Sequence, residues 1–169
     1  MMAARVLGID PGIAVMGYGI IEDNDGNLIT IKYGELSTKA NRGTPERLRT
    51  LYTRVTELID RYKPSEVAVE LFVARNLRTA LMVGQARGVA ILAAANKGLP
   101  VYEYTPLEVK QRVSGYGRGE KRQVQEMVRM QLGLDCVPEP DDAADALAVA
   151  ICHISQARFS KLVANSLRK

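Results

Sequence analysis

The sequence predicts a single α/β domain built on a mixed sheet: three antiparallel strands come first, parallel strands are added later, and helices cover both faces. Three apolar runs separated by turn chemistry occupy the first 36 residues, and helical and strand-like periodicities alternate after them. A chain of 169 residues, 47% of them apolar, can bury one sizeable core but not two. The domain is expected over residues 1–158, followed by a basic tail at 159–169 that has no clear pattern and is expected to fray into disorder.

Residues 5–10 (RVLGID) form a short apolar run stopped by Pro11-Gly12, and residues 15–21 (VMGYGII) form a second. The polar cluster at 22–27 contains Asp25-Gly26, a hairpin-turn pair, and leads into a third run at 28–36. Thr44-Pro45 reads as an N-cap and first-turn pair, after which Leu48, Leu51, Val55, Leu58, Ile59 and Tyr62 recur at helical spacing. Residues 66–70 (EVAVE) make a fourth strand ending at Glu70. The stretch 78–97 carries Ala80, Gly84, Ala86, Gly88, Ala90 and Ala93 to Ala95, a density of small residues that suits a closely packed helix. A strand at 101–104 follows, and the capping box Thr105-Pro106-Leu107-Glu108 opens a short helix that stops near Gly115. A further helix spans about 121–132, and after the linker Pro138-Glu139-Pro140 the Ala-rich run DDAADALAVAICHI, from Asp141 onward, is strongly helical. The order βββαβαβα plus more helix is the RNase H-like arrangement.

Composition excludes several classes of function. No run of 18 apolar residues exists and no apolar leader precedes the first strand, so the expectation is an unprocessed cytoplasmic protein with no membrane association. Cys136 and Cys152 form no CxxC pair, and with His153 as the single histidine neither a disulfide framework nor a zinc site is supported. The net charge of +4 is too small to identify a nucleic-acid binder by itself.

The acids are more informative. Asp10 ends the first strand and Glu70 the fourth, so a sheet that sets these strands side by side brings two carboxylates together. Asp145 shares a helix face with Asp142 at three residues' distance and with Asp141 at four, and spacing alone does not choose between them. Taken singly, each has a structural explanation: Asp10 as a turn starter, Glu70 as a solvated strand end, the later acids as partners of a helix dipole. Their joint placement is what points to chemistry. Converging carboxylates repel unless divalent cations neutralise them, and hard oxygen ligands suit Mg²⁺ or Mn²⁺ in phosphodiester cleavage.

GIDPG (8–12), Glu70, GQARGVA (84–90), EYTPLEVKQ (103–111), GEKRQVQ (119–125) and DAADALAVAI (142–151) together resemble the RuvC family of crossover junction endodeoxyribonucleases, in order and spacing, over about residues 5–155. The resemblance implies Mg²⁺-dependent resolution of Holliday junctions by paired cuts in recombination and repair, with two ions per active site and Mn²⁺ able to substitute. It places Asp10, Glu70, Asp142 and Asp145 at the catalytic metal-ligand positions, and so favours Asp142 over Asp141. Lys110 and Lys121 fall at basic positions near the active site, where an ammonium can hold the scissile phosphate. Phe72 matches an aromatic that stacks on an unpaired base at the junction centre, with burial in the core as its structural alternative. Arg75 and Arg78 are expected to face backbone phosphates, and Arg118, between Gly117 and Gly119, is a candidate for the same contact with a plain surface role as its alternative. The resemblance further implies a homodimer, and a branch-migration motor and a junction-binding protein of the same pathway as partners. Helix 78–97 is the candidate dimer contact, with packing inside the monomer as the competing use of its small residues.

Three other readings remain open at this point. The GIDPG start also resembles the phosphate loop of actin-like ATPases, but these need two such domains, and no GxxxxGK[ST] is present. An RNase H-like nuclease for RNA–DNA hybrids would use the same site chemistry. A junction-binding module without catalysis would not need all four acids.

Overall fold

A computed structural model describes residues 4–72, 75–115, 117 and 119–167. Strands β1 (Ala4–Asp10), β2 (Val15–Asn24) and β3 (Asn27–Ser37) form the antiparallel meander, and β4 (Glu66–Glu70) and β5 (Val101–Tyr104) join it in parallel. The strand order is β3-β2-β1-β4-β5. Asp25 and Gly26 both take positive φ in the first hairpin, as a primed turn requires, and the amide of Gly26 donates to Asp23 Oδ1 at 3.0 Å.

The helices are α1 (Thr44–Tyr62), α2 (Leu77–Asn96), α3 (Pro106–Ser114), α4 (Lys121–Gln131) and α5 (Asp141–Ser166). One core lies under α1 and α2 and includes Leu7, Ile9, Met16, Ile20, Leu51, Val55 and Ala90. The other lies under α3, α4 and α5 and includes Val6, Ile21, Ala68, Val109, Val128, Leu147 and Ile151. Alternation along each strand feeds the two faces in turn, so helices on both faces follow directly from the apolar β1 sequence VLGI.

Three local expectations are corrected. The N-cap of α1 is Gly43 rather than Thr44; it makes no side-chain cap bond, and Thr44 is already the first helical residue ahead of Pro45. Helix α2 begins at Leu77 because the side chain of Asn76 accepts from the amides of Arg78 and Thr79 at 2.9 and 3.4 Å. The tail does not fray from residue 159, since α5 continues through Ser166. Arg112 lies over the ring of Phe159 at 5.7 Å, a cation–π contact that ties this extension to α3.

Helix α5 runs across β1 and β2 on a seat without side chains. A methyl group at Gly17 would overlap the carbonyl of Asp142, one at Gly8 the carbonyl of Ala146, and one at Gly19 the side chain of Leu147. The helix meets these glycines with Ala143, Ala146 and Ala150, all fully buried. Gly17 pairs with Asp10 across the β1–β2 ladder, so the start of α5 is pressed against the end of β1.

Gly17→Ala should therefore lower stability by about 1–3 kcal/mol, the usual cost of overpacking, although alanine normally improves on glycine inside a strand. Urea unfolding measures the difference, and a variant as stable as the parent would show that the close approach does not constrain the fold.

Candidate active site

The end of the sheet where β1 and β4 finish gathers the acids. Ile9 pairs with Val69 in the parallel ladder, so the next residues, Asp10 and Glu70, close the two strands side by side. Each points to the α5 face, as alternation from Gly8 and Ala68 requires. The seat described above brings the first turns of α5 over the same spot. One carboxylate oxygen from each of Asp10, Asp142 and Asp145 lies within 4.8 Å of the other two. Glu70 joins this group through a side-chain hydrogen bond with Asp10.

Such crowding changes the acidity of the groups. Burial, then the charges of Glu70 and Asp145, push the Asp10 carboxyl up to about 9. Burial also raises Glu70, helped by Asp145 and opposed by its bond to Asp10 and by Lys121 and Lys110. Asp145 is raised by burial against the opposing charge of Lys121. Lys121 Nζ stands 3.3 Å from Asp145 and 3.2 Å from Asp141. Burial works against its ammonium, but these carboxylates outweigh it and hold its pKa above the ordinary lysine value.

Asp141 points elsewhere. Its carboxylate takes Lys121 and a hydrogen bond from Gln125 Nε2 at 3.1 Å, and these partners hold it below the usual carboxylate range. Of the two acids that spacing could not separate, Asp142 is the one grouped with Asp10 and Asp145.

Beside the acids opens a cavity of about 210 Å³, lined by Glu70, Phe72, Lys110, Lys121, Asp145 and the apolar side chains of Pro106, Val109, Val124 and Ala148. Phe72 is 46% exposed at this cavity rather than tucked into the core. Lys110 comes from α3, fixed by the capping box in which the amide of Thr105 donates to Glu108 at 2.7 Å. Seven sequence-predicted residues thus share one site: the four acids, Phe72, Lys110 and Lys121. Arg75 and Arg78 are exposed at the start of α2 and do not line the cavity. Arg118 lies outside the described residues.

His153 is structural, as its single occurrence on a buried helix suggests. Its ring nitrogens lie 2.7 Å from the Tyr104 hydroxyl and 2.6 Å from Glu66, and its ring packs on Tyr102. Eleven residues of helix separate it from Asp142, a rise of roughly 16 Å. The sequence reading missed Pro106, Val109, Val124 and Ala148 as walls of the site. The sequence marks Pro106 only as the first helical position of the capping box, and no motif singles out the other three.

The donor set fits a hard divalent cation. Three carboxylates lie within reach of one ion, and a fourth, that of Glu70, is hydrogen-bonded to Asp10.

Comparison with known proteins agrees with this geometry. The family model described as "Crossover junction endodeoxyribonuclease RuvC" matches residues 6–153. The protein of that description from Chloroflexus aurantiacus (strain ATCC 29366 / DSM 635 / J-10-fl) is 59% identical over 150 residues, covering 88% of this chain and 92% of the relative. That of Roseiflexus sp. (strain RS-1) is 54% identical over 154 residues, covering 90% and 92%. Among solved structures, T. thermophilus RuvC in complex with Holliday junction substrate superposes with a TM-score of 0.89 at 38% identity, covering 93% of this chain and 96% of that one. The yeast mitochondrial Holliday junction resolvase Ydc2, at 15% identity, a TM-score of 0.67 and coverage of 90% and 79%, shares the fold.

The raised carboxyl of Asp10 fixes the sign of a pH effect. Between the ordinary aspartate value near 3.9 and about 9, the folded metal-free protein holds a proton that the unfolded chain has released, so its stability falls as pH rises through that window. Asp10→Asn removes this contribution. In EDTA the melting temperature of the variant should exceed that of the parent at pH 8, and the gap should close toward pH 5. Mg²⁺ should raise the parent's melting temperature more at pH 8 than at pH 5.5, and the variant's less at both. A gap that is absent, or that widens on acidification, would remove the electrostatic account of the site.

Proposed function

Since this chain belongs to the RuvC family of crossover junction endodeoxyribonucleases and resolves Holliday junctions in recombination and repair, we propose that Asp10, Glu70, Asp142 and Asp145 make the cut Mg²⁺-dependent, with two ions per active site and Mn²⁺ able to substitute. The observation that carries the proposal is the convergence of Asp10, Asp142 and Asp145 within 4.8 Å, with Glu70 bonded to Asp10. When bound there, the ions supply Lewis-acid stabilisation of charge on the attacking and leaving oxygens of the phosphodiester.

The chain's own residues do the rest. Asp10 and Glu70 stand on rigid strand ends and Asp142 and Asp145 on the first turns of a buried helix, so the ligands are held in place before substrate arrives. Lys121 bridges the acids to the cavity and Lys110 lines its wall, which puts two ammonium groups where a phosphate must enter. Phe72, half-exposed at the cavity, offers a ring face to a base unstacked at the junction centre. Arg75 and Arg78, exposed at the head of α2, face the backbone of an arm, and Arg118 between Gly117 and Gly119 is assigned the same task. Neutralising four acids doubles the net charge of +4 that the polyanion meets.

The enzyme acts as a homodimer in this proposal, because a junction with two-fold symmetry presents two equivalent phosphates. Helix α2 supports the reading by dividing its small residues: Ala86, Ala90, Ala93 and Ala94 are buried in its own core. Leu77, Leu81 and Leu92 are 76%, 60% and 52% exposed, and Gly84 and Gly88, on the same side, have open space before them. A branch-migration motor and a junction-binding protein are the proposed pathway partners. Among the described residues no helix is long and apolar enough to cross a membrane. Cytoplasmic action on DNA belongs to the same proposal.

Two experiments test it. Incubated with a synthetic four-way junction, a linear duplex and an RNA–DNA hybrid, the parent should place paired nicks in the junction alone, with Mg²⁺ and not with EDTA. Asp10→Asn should still bind and lose at least about 10²-fold in rate, since metal-ion stabilisation is worth several kcal/mol. Preferential hybrid cutting would move the site to an RNase H activity, and binding without cutting under any metal would leave a non-catalytic module. For assembly, Leu81→Glu should shift the sedimenting species from dimer to monomer and uncouple the two nicks, whereas a variant that remains dimeric would take the contact away from α2.

A further inference from the structure

A second cavity, of about 250 Å³, lies where the end of β3 meets α1 and holds Lys39, Arg42, Arg47 and Arg54 around the hydroxyls of Ser37 and Thr38. Glu46 is its only acid, and it pairs with Arg42 at 3.4 Å with both groups largely in solvent. Among the described residues Lys39, Arg47 and Arg54 have no carboxylate partner within salt-bridge distance, and the salt bridge at this pocket is that of Arg42 with Glu46.

This pocket is tied to the active site by backbone. The amide of Thr38 donates to the carbonyl of Ala14 at 2.9 Å, and its hydroxyl donates to that of Ile13 at 2.6 Å. Arg47 Nε donates to the same hydroxyl at 2.8 Å. Thr38 therefore fixes the loop that leaves Asp10 and, from its other side, one wall of the basic pocket. Across the sheet Asp10 pairs with Gly17 and Gly17 with Glu35, two residues before Ser37. With strands about 4.8 Å apart and a rise of about 3.3 Å per residue, Ser37 lies ~12 Å from Asp10. The rise of about 3.4 Å per nucleotide along a duplex axis is a lower bound on phosphate spacing, so the pocket stands within about three nucleotides of the acids. Lys110 and Lys121 flank the acids under the opposite face of the sheet, which leaves the acids between two basic sites.

From this arrangement we infer that Lys39, Arg42, Arg47 and Arg54 bind the sugar–phosphate backbone of the junction within about three nucleotides of the scissile phosphate. The inference rests on the junction-cutting function proposed above and adds a contact that positions the arm. Guanidinium groups suit this role because their planar forks match phosphate oxygens. The contact reads no sequence, and it sets the register in which the strand crosses the acids.

The test measures junction affinity by fluorescence anisotropy in Ca²⁺ between 50 and 300 mM KCl. It compares the parent, Arg42→Gln/Arg54→Gln, and Arg61→Gln at the far end of α1. Each phosphate contact contributes about 0.9 to the slope of log K against log salt, so the double variant should lose about 1.8 from that slope, whereas Arg61→Gln should keep the parent's slope. Neutral methylphosphonate linkages placed two or three nucleotides from the cut should weaken binding by the parent more than binding by the double variant, which keeps only Lys39 and Arg47 of the pocket's basic groups. Equal slopes for the double variant and Arg61→Gln, or equal sensitivity of parent and double variant to the neutral linkages, would overturn the inference. A parent that does not bind the junction at all would instead overturn the function on which it rests.

Discussion

The close approach of α5 to the sheet determines the rest of this molecule. Gly8, Gly17 and Gly19 remove every side chain from a strip of β1 and β2, and the alanines of α5 answer with the smallest face a helix can present. A helix with larger contacts would stand a normal 10 Å off the sheet and leave Asp142 and Asp145 out of reach of Asp10. Helix position and ligand geometry are therefore one property of the sequence, and the positions that look least functional set the distance on which function depends.

That approach has an electrostatic cost. Four carboxyl groups meet in a partly buried corner, where like charges are screened far less than at the surface. Lys121 relieves part of the repulsion, but it divides its ammonium between Asp145 and the more exposed Asp141. Asp10, the most crowded, keeps its proton up to about pH 9. The fold tolerates this because hydrophobic burial on both faces of the sheet is large compared with one frustrated corner, a distribution of strain common at active sites.

Much of this could be read from the residues. Asp10 and Glu70 are legible because Pro11-Gly12 and a polar loop end their strands, and Asp142 and Asp145 because a three-residue spacing on an Ala-rich helix puts them on one face. Spacing leaves the choice between Asp141 and Asp142 open, and only the family resemblance favours Asp142, since the rotation of α5 about its axis depends on how its alanines settle against Gly8, Gly17 and Gly19. The extension of α5 to Ser166 is missed because Phe159, Leu162 and Leu167 are exposed, so no buried face imposes a period on the sequence. The basic pocket is missed for another reason. Lys39, Arg42, Arg47 and Arg54 occupy a strand end, a loop and two turns of a helix, and only the packing of β3 against α1 gathers them. Short-range patterns reveal elements and strand ends, whereas a cluster assembled from three segments has no linear signature.

The two kinds of charge at this rim also explain each other. Without cations the carboxylates repel a phosphate backbone from the place where it must bend toward the site, and the basic groups on either side hold it only at a distance. With cations bound the central charge is offset, and the whole rim attracts the strand. Under the proposed function, metal and DNA would favour each other's binding, and linkage would make that favour reciprocal. Under that function, the crowding that raises the Asp10 carboxyl would also couple capture of the substrate to readiness to cut it.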